Sequence, residues 1–200
     1  MQIQLEDNKI PRKIKMTLEE INNQIETCVY CPFLEYKFNQ KKELGFGKQY
    51  KIMFIGICPS LSSNRSPGYS SFDKFFNELL LKVEITKEDY YFTNLCKTTI
   101  PANVVLNDEQ VKHCMSHLTK EIFEVRPQLI VLLGRQVRSA FGINWPESFS
   151  SKVFRSGDNK HKTYIYTLQH PGYLKYKPEE ELKYLVSLRK IFRIYKQQLF

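Results

Sequence analysis

Apolar positions along the chain recur with two periods, and the alternation between them predicts the architecture. Thr17 and Glu20 have the spacing of a capping box, and Leu18, Ile21, Ile25 and Val29 follow at helical intervals. A first helix is predicted from about Leu18 to Cys28. Pro32 to Tyr50 mixes aromatics, lysines and glycines without a sustained period and reads as an irregular connection. Lys51 to Gly56 is a short continuous apolar run closed by glycine, as in a strand buried on both faces. Cys58 to Ser71 is rich in Ser and Pro and predicts a long loop at that strand's end. Phe72, Phe75, Phe76, Leu79, Leu80 and Val83 then share one helical face, with Asp73, Lys74, Asn77 and Glu78 opposite.

The pattern repeats through the second half. Tyr90 to Leu95 is aromatic and β-branched, a second strand, and Asn107 suits the cap of a helix carrying Val111, Cys114, Leu118 and Ile122. Leu129 to Gly134 is a third strand, followed by a short helix from about Arg135 to Phe141, and Thr163 to Leu168 is a fourth. Pro178 opens a long helix predicted to turn Leu182, Leu185, Leu188, Ile191, Phe192 and Tyr195 inward, with Lys183, Arg189, Lys190, Arg193 and Lys196 on its solvated face. Strands alternating with helices define an α/β class: a doubly wound, mostly parallel four-stranded sheet with helices on both faces. Residues 1–200 read as one domain, with 1–15 a peripheral or flexible arm.

Composition narrows the function. The chain is 42% hydrophobic and 26% charged, a profile of neither disorder nor a membrane protein. No apolar run approaches the roughly 20 residues that cross a bilayer, and the first residues lack a signal-peptide core, so a cytoplasmic or nucleoid-associated protein, not a secreted one, is expected. Lys and Arg number 30 against 21 Asp and Glu, leaving +9, which favours a polyanionic partner. Five cysteines without a secretion signal read as thiols, metal ligands or core residues rather than a disulfide framework.

In doubly wound sheets ligands bind beyond the carboxyl ends of the strands. There the chain carries Gly56-Ile57-Cys58-Pro59-Ser60, then Thr93-Asn94 with Lys97, and finally His170-Pro171-Gly172-Tyr173. A carboxamide pairs bidentately with a pyrimidine edge, and an imidazole donates to a carbonyl oxygen that gains charge as a bond breaks. Equally, Asn94 suits a strand-end cap and His170 a turn before proline.

From Cys28 to Pro171 the chain resembles the uracil-DNA glycosylase superfamily, particularly its iron–sulfur members known as family 4. The resemblance rests on Cys28-x-x-Cys31, Gly45-Phe46-Gly47, the Gly56 to Ser60 motif, Thr93-Asn94 with Lys97, Pro101 and Asn103, Cys114, Arg126-Pro127, Leu133-Gly134 and His170-Pro171. It implies a monomeric base-excision-repair enzyme that binds DNA and hydrolyses the bond between a flipped-out base and its deoxyribose, leaving an abasic site. It also implies that an aromatic stacks on the base, that Asn94 hydrogen-bonds the base edge, and that His170 stabilises the departing anion. Tyr69 matches the aromatic's place, with Phe72 as the alternative, and Gly56, Ile57 and Cys58 complete the base-binding set. Ser60, Ser62, Ser63 and Arg65 are candidates for phosphate contacts. Tyr173, Leu174, Lys175 and Tyr176 correspond to a loop that enters the minor groove; equally, Tyr173 and Leu174 suit covering the end of the C-terminal helix.

The chain departs from the family in its first motif, where Ile57 and Cys58 stand in place of the polar residues that position water. A different modified base, or a DNA-binding member without catalysis, is the alternative that this departure raises. The resemblance further implies a [4Fe–4S] cluster on Cys28, Cys31, Cys96 and Cys114, although the family's third ligand aligns with Thr98, two residues beyond Cys96. Positions 96 and 98 share a face on an extended chain. Zinc on the same thiolates, in a nucleotide- or RNA-binding module, is the remaining alternative.

Overall fold

The computed structural model describes residues 16–28, 45–47, 52–59, 71–100, 104–143, 149–156 and 159–198. Helix α1 is Leu18–Thr27, and the Thr17 hydroxyl accepts from the Glu20 N–H while the Glu20 carboxylate accepts from the Thr17 N–H, the capping box expected of that spacing. Strand β1 is Phe46–Gly47 and β2 is Ile52–Gly56; α2 is Ser71–Leu81 and β3 is Tyr90–Asn94. Helix α3, Asp108–Val125, opens on an Asn107–Gln110 capping box and closes at Arg126, whose left-handed conformation (φ 50°) precedes Pro127. Strand β4 is Leu129–Leu133, α4 is Arg135–Ala140, β5 is Phe149–Ser156 and β6 is Asn159–Leu168; two 3-10 turns, Pro171–Lys175 and Pro178–Glu180, lead into α5, Glu181–Gln198.

The sheet runs β1-β3-β2-β4-β6-β5. The four predicted strands form its parallel centre, β3-β2-β4-β6. The sheet is wider than the predicted four strands because antiparallel β1 and β5 pair along its edges. Connections from β2 and from β4 leave in opposite directions, so the carboxyl ends of these neighbours flank the topological switch point.

Each central strand is buried on both faces, because its alternate side chains feed two separate cores. Ile52, Phe54, Tyr90, Phe92, Leu129, Val131, Leu133, Tyr166 and Leu168 meet Phe76, Leu79 and Leu80 of α2 and Leu185, Leu188, Ile191 and Phe192 of α5. Met53, Ile55, Tyr91, Ile130, Leu132 and Ile165 meet Met115, Leu118 and Ile122 of α3 and Val137 of α4 on the other side. Phe54, fully buried, is gripped edge-on by Phe76 at 5.1 Å and Tyr90 at 5.5 Å between ring centroids.

One expectation fails in α5. Leu182 is 70% exposed, and Tyr184 is buried instead. At 3.6 residues per turn Leu182 lies about 120° from Leu188, off the stripe that Tyr184, Leu188, Ile191 and Phe192 share. Pro178 also opens a separate 3-10 turn rather than the helix itself.

Candidate active site

The ends of the four parallel strands bring the predicted residues together. Gly56 and Asn94 are paired in register at the carboxyl ends of β2 and β3. Asn94 follows Tyr90 and Phe92 in strand parity and is buried on the α2 side of the sheet. A Cβ at position 56 would stand 2.5 Å from Asn94 Oδ1, so only glycine lets the carboxamide lie across the end of β2. At the end of β4, Gly134 has φ 98°, a conformation suited to glycine, and its N–H donates to the Leu168 carbonyl at 2.8 Å. A Cβ there would meet His170 Cβ at 3.2 Å. Two glycines thus clear space for the Asn94 and His170 side chains.

His170 caps the 3-10 turn, and its Nδ1 accepts the Gly172 N–H at 3.2 Å. With Nδ1 committed as acceptor, the neutral ring carries its proton on Nε2, which is then a donor. Burial pushes the imidazole down from 6.5 to about 4, so it is uncharged near neutral pH. Phe72, from the first turn of α2, stacks on it with centroids 4.9 Å apart and planes 20° apart. The same Phe72 ring stacks with Phe76 at 5.8 Å and leans on Phe92 at 6.2 Å. Phe72, half-buried, thus packs on His170 as well as on the core aromatics. Tyr69, the other aromatic candidate, lies outside the described residues, as do Ser60, Ser62, Ser63 and Arg65.

Ile57 and Cys58 continue the β2 end, where the Cys96 N–H donates to the Ile57 carbonyl at 2.9 Å, but both side chains pack on the α3 side of the sheet. Burial raises the Cys58 thiol to about 11, with Cys96 adding to the shift and the Ile100 N–H opposing it. A protonated thiol of this kind is not a nucleophile.

Beneath Asn94 lies a buried polar group of which the sequence motif contains only Thr93 and Lys97. Lys97, 5% exposed, donates to Thr93 Oγ1 at 2.7 Å, to the Asn94 carbonyl at 2.8 Å and to Glu121 Oε2. Glu121, fully buried on α3, also accepts from Tyr91 Oη at 2.7 Å, Thr93 Oγ1 at 3.0 Å and the Gly45 N–H at 2.9 Å. The signal for Glu121 was a carboxylate inside the stripe of Leu118, Ile122 and Val125.

The segment after His170 divides by exposure. Leu174 is in the core and Tyr173 sets its ring edge-on to Tyr184 at 6.2 Å, whereas Lys175 is exposed and holds its ammonium 5.8 Å over the Phe75 ring. Tyr176, the next residue of that segment, is 87% exposed.

Of the cysteines, Cys28 caps the C-terminus of α1, Cys114 sits half-buried on α3, and Cys96 is buried with Sγ 3.5 Å from Thr98 Oγ1. α1 packs on α3, where Lys120 Nζ donates to Gln24 Oε1 at 2.7 Å. Cys31 lies outside the described residues, and among those described no three His, Cys, Asp or Glu side chains form a metal-binding group. No described helix is long and apolar enough to cross a membrane.

A carboxamide and a neutral imidazole donor beyond the strand ends of a doubly wound sheet can chemically pair with the edge of a planar polar ligand and donate to an oxygen that gains charge. Residues 44–193 match the family described as the uracil DNA glycosylase superfamily. Curated relatives include the type-4 uracil-DNA glycosylase of Archaeoglobus fulgidus, 25% identical over 183 residues that cover 88% of this chain and 92% of the relative. The type-4 uracil-DNA glycosylase of Pyrobaculum aerophilum is 26% identical over 151 residues, 74% of each chain. That of Sulfurisphaera tokodaii is 24% identical over 187 residues, covering 86% of this chain and 84% of the relative. The chain belongs to the uracil-DNA glycosylase superfamily, and its enzyme class is that of a DNA glycosylase.

Proposed function

We propose that this protein hydrolyses the glycosidic bond of uracil flipped out of DNA, and that Asn94 and His170 carry the reaction. The supporting observation is the pairing of a buried carboxamide, fitted over Gly56, with a neutral imidazole whose Nδ1 is already engaged. Extruding the nucleotide costs a few kcal/mol of stacking and pairing, offset by contacts in the pocket. Asn94 then pairs with the base edge, and His170 Nε2–H donates to a carbonyl oxygen of the base. As the bond from the sugar carbon to the ring nitrogen breaks, its electron pair leaves with the base, and the hydrogen bond strengthens as that oxygen gains charge. Water adds to the sugar carbon and loses a proton, giving an abasic site and, after protonation, the free base.

The anionic phosphates favour the cationic character of the sugar in the transition state. That supply of charge matters here because Ile57 and Cys58 offer no acid to water. Ser60, Ser62, Ser63 and Arg65 are assigned to phosphates. Lys175 and the exposed Tyr176 take the minor-groove role, since Leu174 is committed to the core. The reading carries with it a monomer acting on DNA in the cytoplasm or nucleoid.

The thiols of Cys28, Cys31, Cys96 and Cys114 are assigned to a [4Fe–4S] cluster, with zinc as the competing occupant. The donor set fits in chemistry, thiols only, and two of its elements, the end of α1 and helix α3, are packed together. When bound, the group supplies a covalent tie between α1, the segment after β3 and α3. Iron analysis and a visible absorption band that is lost in Cys96→Ser support this assignment; a colourless, zinc-containing protein overturns it.

The activity is tested with labelled uracil-containing oligonucleotides, single-stranded and paired, followed by alkali. Strand breaks that His170→Ala abolishes, with DNA binding retained, are expected. Breaks at an unchanged rate in His170→Ala would overturn the mechanism, and release of another modified base but not uracil would overturn the substrate.

A further inference from the structure

We propose that Lys97, held by Glu121, is the positioning residue that sets the orientation of the Asn94 carboxamide toward the base. The inference rests on the reading of Asn94 as the base-contacting residue.

Asn94 is the last residue of β3, where a strand ordinarily loses its ladder partners and gains freedom. Here the peptide that follows it is held from both sides. The Leu95 N–H donates to the Gly56 carbonyl at 2.9 Å, and the Asn94 carbonyl accepts from Lys97 Nζ at 2.8 Å. These two bonds fix the rotation about the Asn94 main chain and so the direction of its side chain, whose Oδ1 occupies the space that Gly56 leaves open.

An ammonium does this only if its other protons and its charge are satisfied out of water. Thr93 Oγ1 and Glu121 Oε2 take the remaining protons, and Glu121 is in turn saturated by Tyr91, Thr93 and the Gly45 N–H. Lys97 is 5% exposed and Glu121 not at all. The pair therefore has one solution in this fold, and that solution ends on the Asn94 carbonyl. A neutral side chain at position 97 would free the peptide to turn, and displacing a reacting group by about 1 Å costs on the order of a hundredfold in rate.

The test is the double variant Lys97→Met/Glu121→Gln, which removes the ammonium without leaving a lone buried charge. The expected result is a cooperative melt, a KM for DNA within about twofold of the parent, and a kcat lowered between about tenfold and a hundredfold. The 15N resonance of the Asn94 side-chain amide should shift or broaden in the same variant. A folded double variant with the parent kcat and an unmoved Asn94 amide overturns the proposal. Should the double variant fail to melt cooperatively, Lys97→Arg keeps a cation for Glu121 but presents a wide planar fork; the same loss of kcat in the folded protein supports the proposal, and parent kcat overturns it. Asn94→Ala separates the two levels. If Asn94→Ala releases base at the parent rate, the reading of Asn94 fails. If it is slow while the double variant is not, only the positioning role fails. The amide resonance reads positioning even in a protein that releases no base.

Discussion

His170 owes its chemistry to two neighbours, the Gly172 N–H that occupies Nδ1 and the Phe72 ring that covers one face. The N–H on Nδ1 favours the uncharged ring, and burial holds its pKa near 4 against an ordinary 6.5. The unfolded chain therefore binds a proton in a window where the native chain does not. Stability from this group is complete above about 6.5 and falls away as pH drops toward 4. On the proposed mechanism the neutral ring acts, so kcat should show no inflection near 6.5 and should fall only as pH approaches 4. A pH–rate profile on single-stranded substrate, set beside an NMR titration of the His170 ring, checks both; an acid limb centred near 6.5 would mean that the ring is solvated in the working enzyme.

At the scale of elements, the 3-10 turn Pro171–Lys175 carries neighbouring side chains with opposite duties. Leu174 is 3% exposed among core side chains, so Leu174→Ala should cost about 2–5 kcal/mol of folding stability and lower Tm. Tyr176, just past the turn, should be indifferent to folding but needed on duplex: Tyr176→Ala is expected to leave Tm unchanged and to reduce base release severalfold from paired DNA more than from single strands. Denaturant melts and the two substrates side by side decide it. Equal losses on both substrates would remove Tyr176 from the minor-groove role.

The elements that were legible in the sequence share a cause. Capping at Thr17 and Asn107, and the apolar runs of β2, β3 and β4, are local or nearly continuous signals that no distant partner has to complete. Strand β1 is only two residues long and exists because β3 offers it a ladder, and β5 pairs antiparallel with β6 at the opposite edge. The positions of Asn94 and His170 at or beyond strand ends were legible because the apolar runs of β3 and β6 end just before them. Glu121 was not, because a single carboxylate in a helical stripe acquires meaning only when Lys97 arrives from another element.

For the molecule as a whole, the surplus of +9 sets the terms of its encounter with DNA. Binding to duplex should weaken linearly in log Kd against log salt, with a slope of about 0.9 for each phosphate neutralised. Fluorescence anisotropy across a salt series measures it, and a flat response would show that the surplus charge does not face the substrate. The parallel centre has a different consequence. Gly56, Asn94, Gly134 and His170 come from four strands that pair only through long crossovers, with β2, the earliest of them, lying between β3 and β4. During synthesis the amide-bearing half is complete long before the imidazole leaves the ribosome. A nascent or interrupted chain that stops short of β6 therefore lacks His170, one of the two side chains assigned to the reaction.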